Sequence, residues 1–278
     1  MLPILGWRES DQNLSGTSKL MNNFQNRVVR ALSVGKILGT DDVKETYRRT
    51  FVGPLWITIG LGVQVAMIGV VFSLIFSADL KTYLPYLAVS LVVWNFLQQT
   101  ISDGCNTFIS SERLIKQIPL PFMAYALRTL WKQTFVFAHN FLVIPVVFLI
   151  FGYGLTTSAL FLPLGFLIVL VNLGWVVTVV GIISARYRDL GPIVQSFLTM
   201  AFYVSPVIWL PTAIPVEYRG VILGLNPFFH LMEMVRSPLL GEVPDTVSIV
   251  VSMGLAVVGS VFAWLLLRNF SSRIAFWV

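Results

Sequence analysis

Residues Gln133 to Ala185 read QTFVFAHNFLVIPVVFLIFGYGLTTSALFLPLGFLIVLVNLGWVVTVVGIISA, 53 positions without one Asp, Glu, Lys or Arg. At about 1.5 Å per residue, one helix over this stretch would be about 80 Å long, more than twice a hydrocarbon layer of about 30 Å. The stretch therefore holds two membrane-crossing helices. The break falls at Gly152-Tyr153-Gly154 with Thr156, Thr157 and Ser158, a turn-rich cluster, and Pro163 suits the first turn of the next helix.

Working outward, Phe51–Ala78, Thr82–Ser102, Leu190–Val216 and Thr246–Leu267 are also free of charge and long enough to cross. The reading is an all-α membrane protein with six transmembrane helices over 54–77, 83–109, 121–150, 159–184, 191–210 and 246–267. The third starts near Pro121, with Arg128 and Lys132 on its first turns snorkelling to headgroups. Composition agrees: 56% of the 278 residues are hydrophobic and 12% charged, which excludes a soluble globule. No signal-peptide pattern precedes the first span. Residues 1–19 read as a disordered extension, 20–53 as an interface helix with its connector, and 54–278 as the six-helix domain.

An even number of spans places both termini on one side. Of the 19 basic residues, 16 lie in 1–50, Ser111–Lys132, Arg186–Arg188 and the C-terminus, whereas Lys81, Arg219 and Arg236 fall opposite with five acidic residues. The positive-inside rule then makes both termini cytoplasmic. The net charge of +6 is spread between apolar runs, unlike the clustered patch of a nucleic-acid binder. One cysteine and two histidines offer no disulfide and no metal site.

Leu20, Met21, Phe24, Val28, Ala31 and Leu32 share one arc at 100° per residue, opposite Asn22, Asn26 and Arg30, so an amphipathic helix lies in the membrane plane. Arg27, Arg30 and Lys36 sit there at phosphate level, and Arg48 and Arg49 point into the same zone just before Gly53-Pro54. These cations either set topology alone or capture an anionic lipid headgroup. In span two, Asn95, Gln98, Gln99, Ser102 and Asn106 follow helical spacing beside Trp94, and span five offers Gln195, Ser196, Tyr203, Ser205 and Trp209. They line a polar path or bond helix to helix. Between spans five and six, Pro211, Pro215, Pro227, Pro238 and Pro244 cut Leu210–Asp245 into pieces too short to cross, read as two re-entrant or interfacial helices.

No Asp, Glu or Lys lies at mid-membrane depth as an ion-coupling group, His139 reads as a hydrogen-bonded side chain, and no GxxxxGK[ST] loop is present. The chain is read as no enzyme, with no cofactor of its own; ATP and its Mg belong to a separate nucleotide-binding subunit. Ser110 to Pro121, a serine-capped charged helix stopped by proline with Leu114 and Ile115 exposed, would be that subunit's handle.

Four stretches carry a resemblance: YRRTFVGPLW (Tyr47–Trp56), ERLIKQIPLP (Glu112–Pro121), RYRDLGPIVQSFLTMAFYVSPVIW (Arg186–Trp209) and LNPFFHLMEMVRSPLL (Leu225–Leu240). They resemble the permease subunits of type-2 ABC exporters of O-antigen, capsule and teichoic acid, over residues 20–278. Residues 1–19 have no counterpart in that pattern. The resemblance implies the type V exporter fold: a homodimer in a bacterial inner membrane, around one channel, with two cytoplasmic ATPase subunits. It implies docking on Glu112, Arg113, Leu114 and Lys116, a cytoplasmic mouth at Arg186, Arg188 and Asp189, and a periplasmic gate with Asn226, Pro227 and Arg236. The implied substrate is a glycan on undecaprenyl diphosphate, which makes Arg27, Arg30, Arg48 and Arg49 candidates for the diphosphate and Trp94, Asn95, Gln98, Gln99, Gln195, Tyr203 and Trp209 candidates for the channel wall. Two alternatives stay open: a small-molecule exporter of the same superfamily, which would use an apolar lateral pocket, and a membrane-embedded glycosyltransferase or acyltransferase, against which stands the absence of a D-x-D pair.

Purified by itself, the chain is expected to release no phosphate from ATP above background; sustained turnover would overturn the borrowed-power reading.

Overall fold

A computed structural model describes residues 29–48, 53, 55–75, 78–154 and 156–278. Residues 1–19, most of the expected amphipathic arc, Arg27 and Arg49 lie outside the described residues. Helices dominate, with no strand among the described residues. In order they are α1 (29–47), α2 (Leu55–Ile75), α3 (Leu80–Asn106), α4 (Glu112–Gln117), α5 (Phe122–Asn140), α6 (Val143–Phe151), α7 (Leu162–Arg186), α8 (Leu190–Val204), α9 (Val216–Ile222), α10 (Pro227–Leu239) and α11 (Thr246–Trp277). Short 3-10 turns cover Thr157–Phe161 and Pro211–Ala213.

Five helical segments among the described residues are long and apolar enough to cross a membrane: α2, α3, α5 with α6, Thr157–Arg186 including α7, and α11. The chain is therefore a multi-pass membrane protein. The stretch read as a fifth span is shorter. α8 has 15 residues, about 22 Å at helical rise, and stops at Val204 because Pro206 drives the residue before it out of the helical region. From Ser205 to Leu210 the chain continues without helix. The stretch read as one third span is two helices. Pro145 has no N–H to give the Phe141 carbonyl and its ring crowds that carbonyl, so the path breaks at Phe141–Leu142 between α5 and α6. Gly152, at φ 67°, then ends α6 in the left-handed conformation that glycine adopts without strain.

α3 is the hub. In its most apolar window 78% of the residues are buried, against 22% in α2 and 17% in α11, so α3 is surrounded by protein while α2 and α11 offer their sides to lipid or another chain. Around it pack α2, α5, α6, α7, α8 and α10. The main core joins Leu87, Leu91, Trp94 and Leu97 of α3 to Phe137, Ile144, Leu173 and Met232. A second, smaller core holds Phe108, Tyr125, Ile182 and Ile274, gathering the end of α3, the start of α5 and the ends of α7 and α11.

α1 lies on α5 through a stripe at every fourth position: Ala31, Gly35, Gly39 and Val43 are buried. A Cβ on Gly35 would sit 2.8 Å from that of Leu127, and one on Gly39 would sit 2.7 Å from the Arg128 carbonyl oxygen, so only glycine admits this approach. The contact is locked by a fork-to-fork pair, with Arg128 Nε and Nη2 donating to Asp42 Oδ2 at 2.6 Å and Oδ1 at 2.5 Å. The snorkelling expectation for Arg128 and Lys132 is thereby overturned. Arg128 pairs with Asp42, and Lys132 donates to Asp103 at 3.0 Å, since a carboxylate within reach satisfies a half-buried cation inside the protein.

α7 touches α10 at Gly165, where a Cβ would fall 1.9 Å from the Met234 carbonyl oxygen. Gly165→Ala is expected to cost about 1–3 kcal/mol by overpacking, read as a lower thermal midpoint in detergent. Gly254→Ala, which meets nothing within 4 Å, should keep the wild-type midpoint.

Candidate functional site

The polar residues of α3 do not share one face. Four-residue steps draw two neighbouring stripes, 94–98–102 and 95–99–103. The first turns to α8: Trp94 Nε1 donates to Gln98 Oε1 at 2.8 Å, and Ser102 Oγ donates to Gln195 Oε1 at 2.8 Å. Trp94 is 1% exposed and lies against Phe202 and Phe228, ring centres 5.6 and 5.4 Å away. Within one subunit its indole is thus a joint between α3, α8 and α10, not an open wall. Gln195 and Tyr203 are exposed on α8, and the half-buried Trp209 donates from Nε1 to the Tyr203 carbonyl at 3.1 Å. The second stripe, Asn95, Gln99 and Asp103, turns toward α2 and α5. Asp103 accepts from Lys132 at 3.0 Å and from Gln133 Nε2 at 2.6 Å. His139 holds its Nδ1 2.9 Å from the Phe135 carbonyl oxygen of its own helix.

A different cluster holds the segment after α8. Arg236 of α10 is 1% exposed. Its Nη1 donates to the Pro206 carbonyl at 2.6 Å, to Tyr86 Oη at 2.7 Å and to Ser90 Oγ at 3.1 Å, while Nε and Nη2 donate to Glu233. Tyr86 donates onward to the Pro206 carbonyl at 2.7 Å, and Tyr83 to that of Ile208 at 2.5 Å. Asn226 accepts from the Phe228 and Phe229 amides with Oδ1, capping α10 ahead of Pro227, and donates from Nδ2 to Ser205 Oγ at 2.9 Å. Residues 205–209 are thus strapped by α3 and α10. Arg236, counted in the sequence as a loop charge, is instead the centre of a buried network. Tyr83, Tyr86, Ser90 and Glu233 escaped sequence reasoning, although 83, 86 and 90 fall on one helical face and Glu233 stands one turn before Arg236.

Around α4, Glu112, Arg113 and Lys116 are exposed, and Lys116 donates to Glu112 at 2.7 Å. That bond and the lysine's charge hold the Glu112 carboxyl below the usual carboxylate range. Leu114 and Ile115, expected to be exposed, pack on the smaller core. Ser111 does not cap α4 with its side chain: its Oγ donates to the Thr107 carbonyl at 2.8 Å and accepts from Arg128 at 3.2 Å. Arg186 lies 5.3 Å from the ring centres of both Tyr187 and Trp277, and Arg188 and Asp189 are exposed. Of the headgroup cations, Arg30 borders a groove with Ile118 and Phe122, and Arg48 is exposed just past the far end of α1. Eighteen positions of helix set them about 27 Å apart, so one chain does not bring them onto one diphosphate. An apolar groove of about 540 Å³ runs between α2 and α6 beside Leu80 and Leu84. Among the described residues no cluster of His, Cys, Asp and Glu could hold a metal ion.

An apolar helix bundle with a short charged surface helix has the makeup of a membrane permease. The chain belongs to the ABC-2 type transporter family, whose description matches residues 35–240, more than half of the 278. It is similar to the O-antigen export system permease protein RfbA of Myxococcus xanthus, 23% identical over 234 residues that cover 84% of this chain and 89% of that relative. A protein of the same description from Klebsiella pneumoniae is 24% identical over 204 residues, covering 70% of this chain and 76% of the relative.

Arg236→Met, which leaves the Glu233 carboxylate with the Ser237 hydroxyl but no cation, is expected to cost about 3–5 kcal/mol and to abolish the monodisperse peak in detergent; a normal peak and midpoint would remove the cluster's structural role.

Proposed function

We propose that two copies of this chain form the membrane conduit of an ABC exporter moving a polysaccharide, O-antigen in the first place, on an undecaprenyl diphosphate carrier across a bacterial inner membrane. The observation that carries this reading is that relatives matching most of the chain are O-antigen export permeases. The seam between α3 and α8, where Ser102 meets Gln195 about two turns before the exposed Tyr203, supports it with hydroxyls and amides suited to sugars. In this reading α8 and the 205–210 segment together make a sixth crossing, so both termini lie on one side, the cytoplasmic one by the positive-inside rule. The exposed apolar flank of α8, Ile193, Phe197 and Met200, would face the second copy, and α9 and α10 the periplasmic exit as gate helices.

Family membership implies a nucleotide-binding partner in general terms. In this reading the partner carries ATP and Mg and docks on Glu112, Arg113 and Lys116, with Leu114 anchoring α4 from beneath, and it meets the mouth at Arg188 and Asp189. Arg30 and Arg48 serve the diphosphate separately, at entry and at the start of span one. A second reading, export of an apolar small molecule, is favoured by the groove between α2 and α6, although acyl chains of the bilayer would fill it equally well.

In a strain lacking the gene, the wild-type chain should restore surface polysaccharide. Glu112→Arg with Arg113→Glu should keep normal abundance, lose co-purification of the ATPase and sharply lower surface polysaccharide. Full binding and export would move the contact elsewhere. Export of a small apolar substrate with no effect on polysaccharide would decide for the second reading.

A further inference from the structure

Behind the second stripe of α3 lies a cavity of about 280 Å³ between α2, α3, α5 and the end of α1. It is separate from the α3–α8 seam, and its walls are unlike those of the apolar grooves. Five carboxamides line it: Gln64, Asn95, Gln99, Gln133 and Asn140. Gln64 and Gln99 are exposed at its mouth, while Gln133 and Asn140 are buried at 5% and 7% exposure. Polar side chains among membrane-spanning helices need partners, because hydrocarbon supplies none.

Most of that hydrogen-bonding capacity is unused. Asn95 donates from Nδ2 to the Leu91 carbonyl at 2.8 Å, which leaves its Oδ1 open. Gln133 commits Nε2 to Asp103, which leaves Oε1. Asn140 Oδ1 accepts from Thr58 at 3.4 Å, which leaves the amide nitrogen. Gln64 and Gln99 make no hydrogen bond to any described residue. The cavity therefore presents both donors and acceptors, the requirement of hydroxyl groups, each of which gives one hydrogen bond and takes others.

Charge argues against an ionic ligand. Among the described residues Lys132 is the one cation on the wall and Asp103 the one carboxylate, and they neutralise each other at 3.0 Å. Among those residues neither a phosphate nor a metal ion finds an uncommitted counter-charge. Ile57, Leu61 and Val136 supply apolar wall, and Tyr47 borders it. The volume lies just under the range of about 300–1,000 Å³ usual for small-molecule sites, so it takes a single ring and no oligosaccharide.

We propose that this cavity binds one neutral saccharide unit, a holding site inside each subunit and beside the conduit. It rests on the export reading for the source of the sugar, not for the chemistry of the walls.

The test uses the full chain in lipid nanodiscs with methyl glycosides of glucose, galactose, mannose, rhamnose and N-acetylglucosamine at millimolar concentration, observed by saturation-transfer NMR. At least one glycoside should show transfer, and Gln64→Met with Gln99→Met should weaken its binding about tenfold, as the loss of two ordinary hydrogen bonds implies. Both substitutions keep side-chain length at exposed positions. If the pair lowers folded yield, the single Gln99→Met is measured, with a weakening of at least about twofold required. Absence of transfer from every glycoside, a cavity holding only water, would overturn the proposal, and so would binding that ignores the substitutions. Surface polysaccharide in cells separates the two readings: wild-type export with no saccharide binding sinks the holding site alone, and no export by the wild-type chain sinks the export reading.

Discussion

A guanidinium carries five N–H groups and a charge that cannot be titrated away, so placing one within a hydrocarbon-facing bundle requires acceptors on every side. Arg236 meets that requirement with a backbone carbonyl, two hydroxyls and the Glu233 carboxylate, drawn from α3, α10 and the chain after α8. The position of α10 follows, and with it the close approach of Met234 to Gly165 on α7. α7 in turn packs along α11. The same cluster holds the short segment that leaves α8, so the path of the chain beyond the end that Pro206 sets is fixed by partners 30 and 120 residues away.

What could be read from the sequence follows from how local each signal is. Runs without charge name membrane helices directly, because the bilayer tests composition over about 20 residues at a time, and the all-helical, multi-pass character was visible for that reason. The break at Phe141–Leu142 was equally local, since Pro145 sits in plain view, yet an uninterrupted apolar run masked it. The partners of Arg128 and Lys132 were not legible. Asp42 is 86 residues from Arg128 and Asp103 is 29 from Lys132, and pairing at that range depends on how helices pack. Long basic side chains near a helix end look alike whether they reach for lipid or for a carboxylate.

The same limit governed the site. Helical spacing placed the amides of α3 on one broad side, but the division between the stripe that meets α8 and the one that meets α5 is decided by the neighbours, Gln195 on one flank and Gln133 on the other. Trp94 looked like a surface for sugars and is a packed joint between three helices. Membership in the ABC-2 type transporter family gives these polar faces a transport setting, and the hydrogen bonds separate the residues that hold the bundle together from those left with capacity to spare.

Arg128 has one further property. Besides its two bonds to Asp42 on α1, its Nη1 donates to Ser111, the residue that opens α4. Two neighbouring elements and a third that lies 86 residues away in the chain are therefore fastened at one side chain, and the glycine stripe removes the slack between α1 and α5. Displacing α4 would therefore strain the Ser111–Arg128–Asp42 link, which joins the short charged helix mechanically to the surface helix α1.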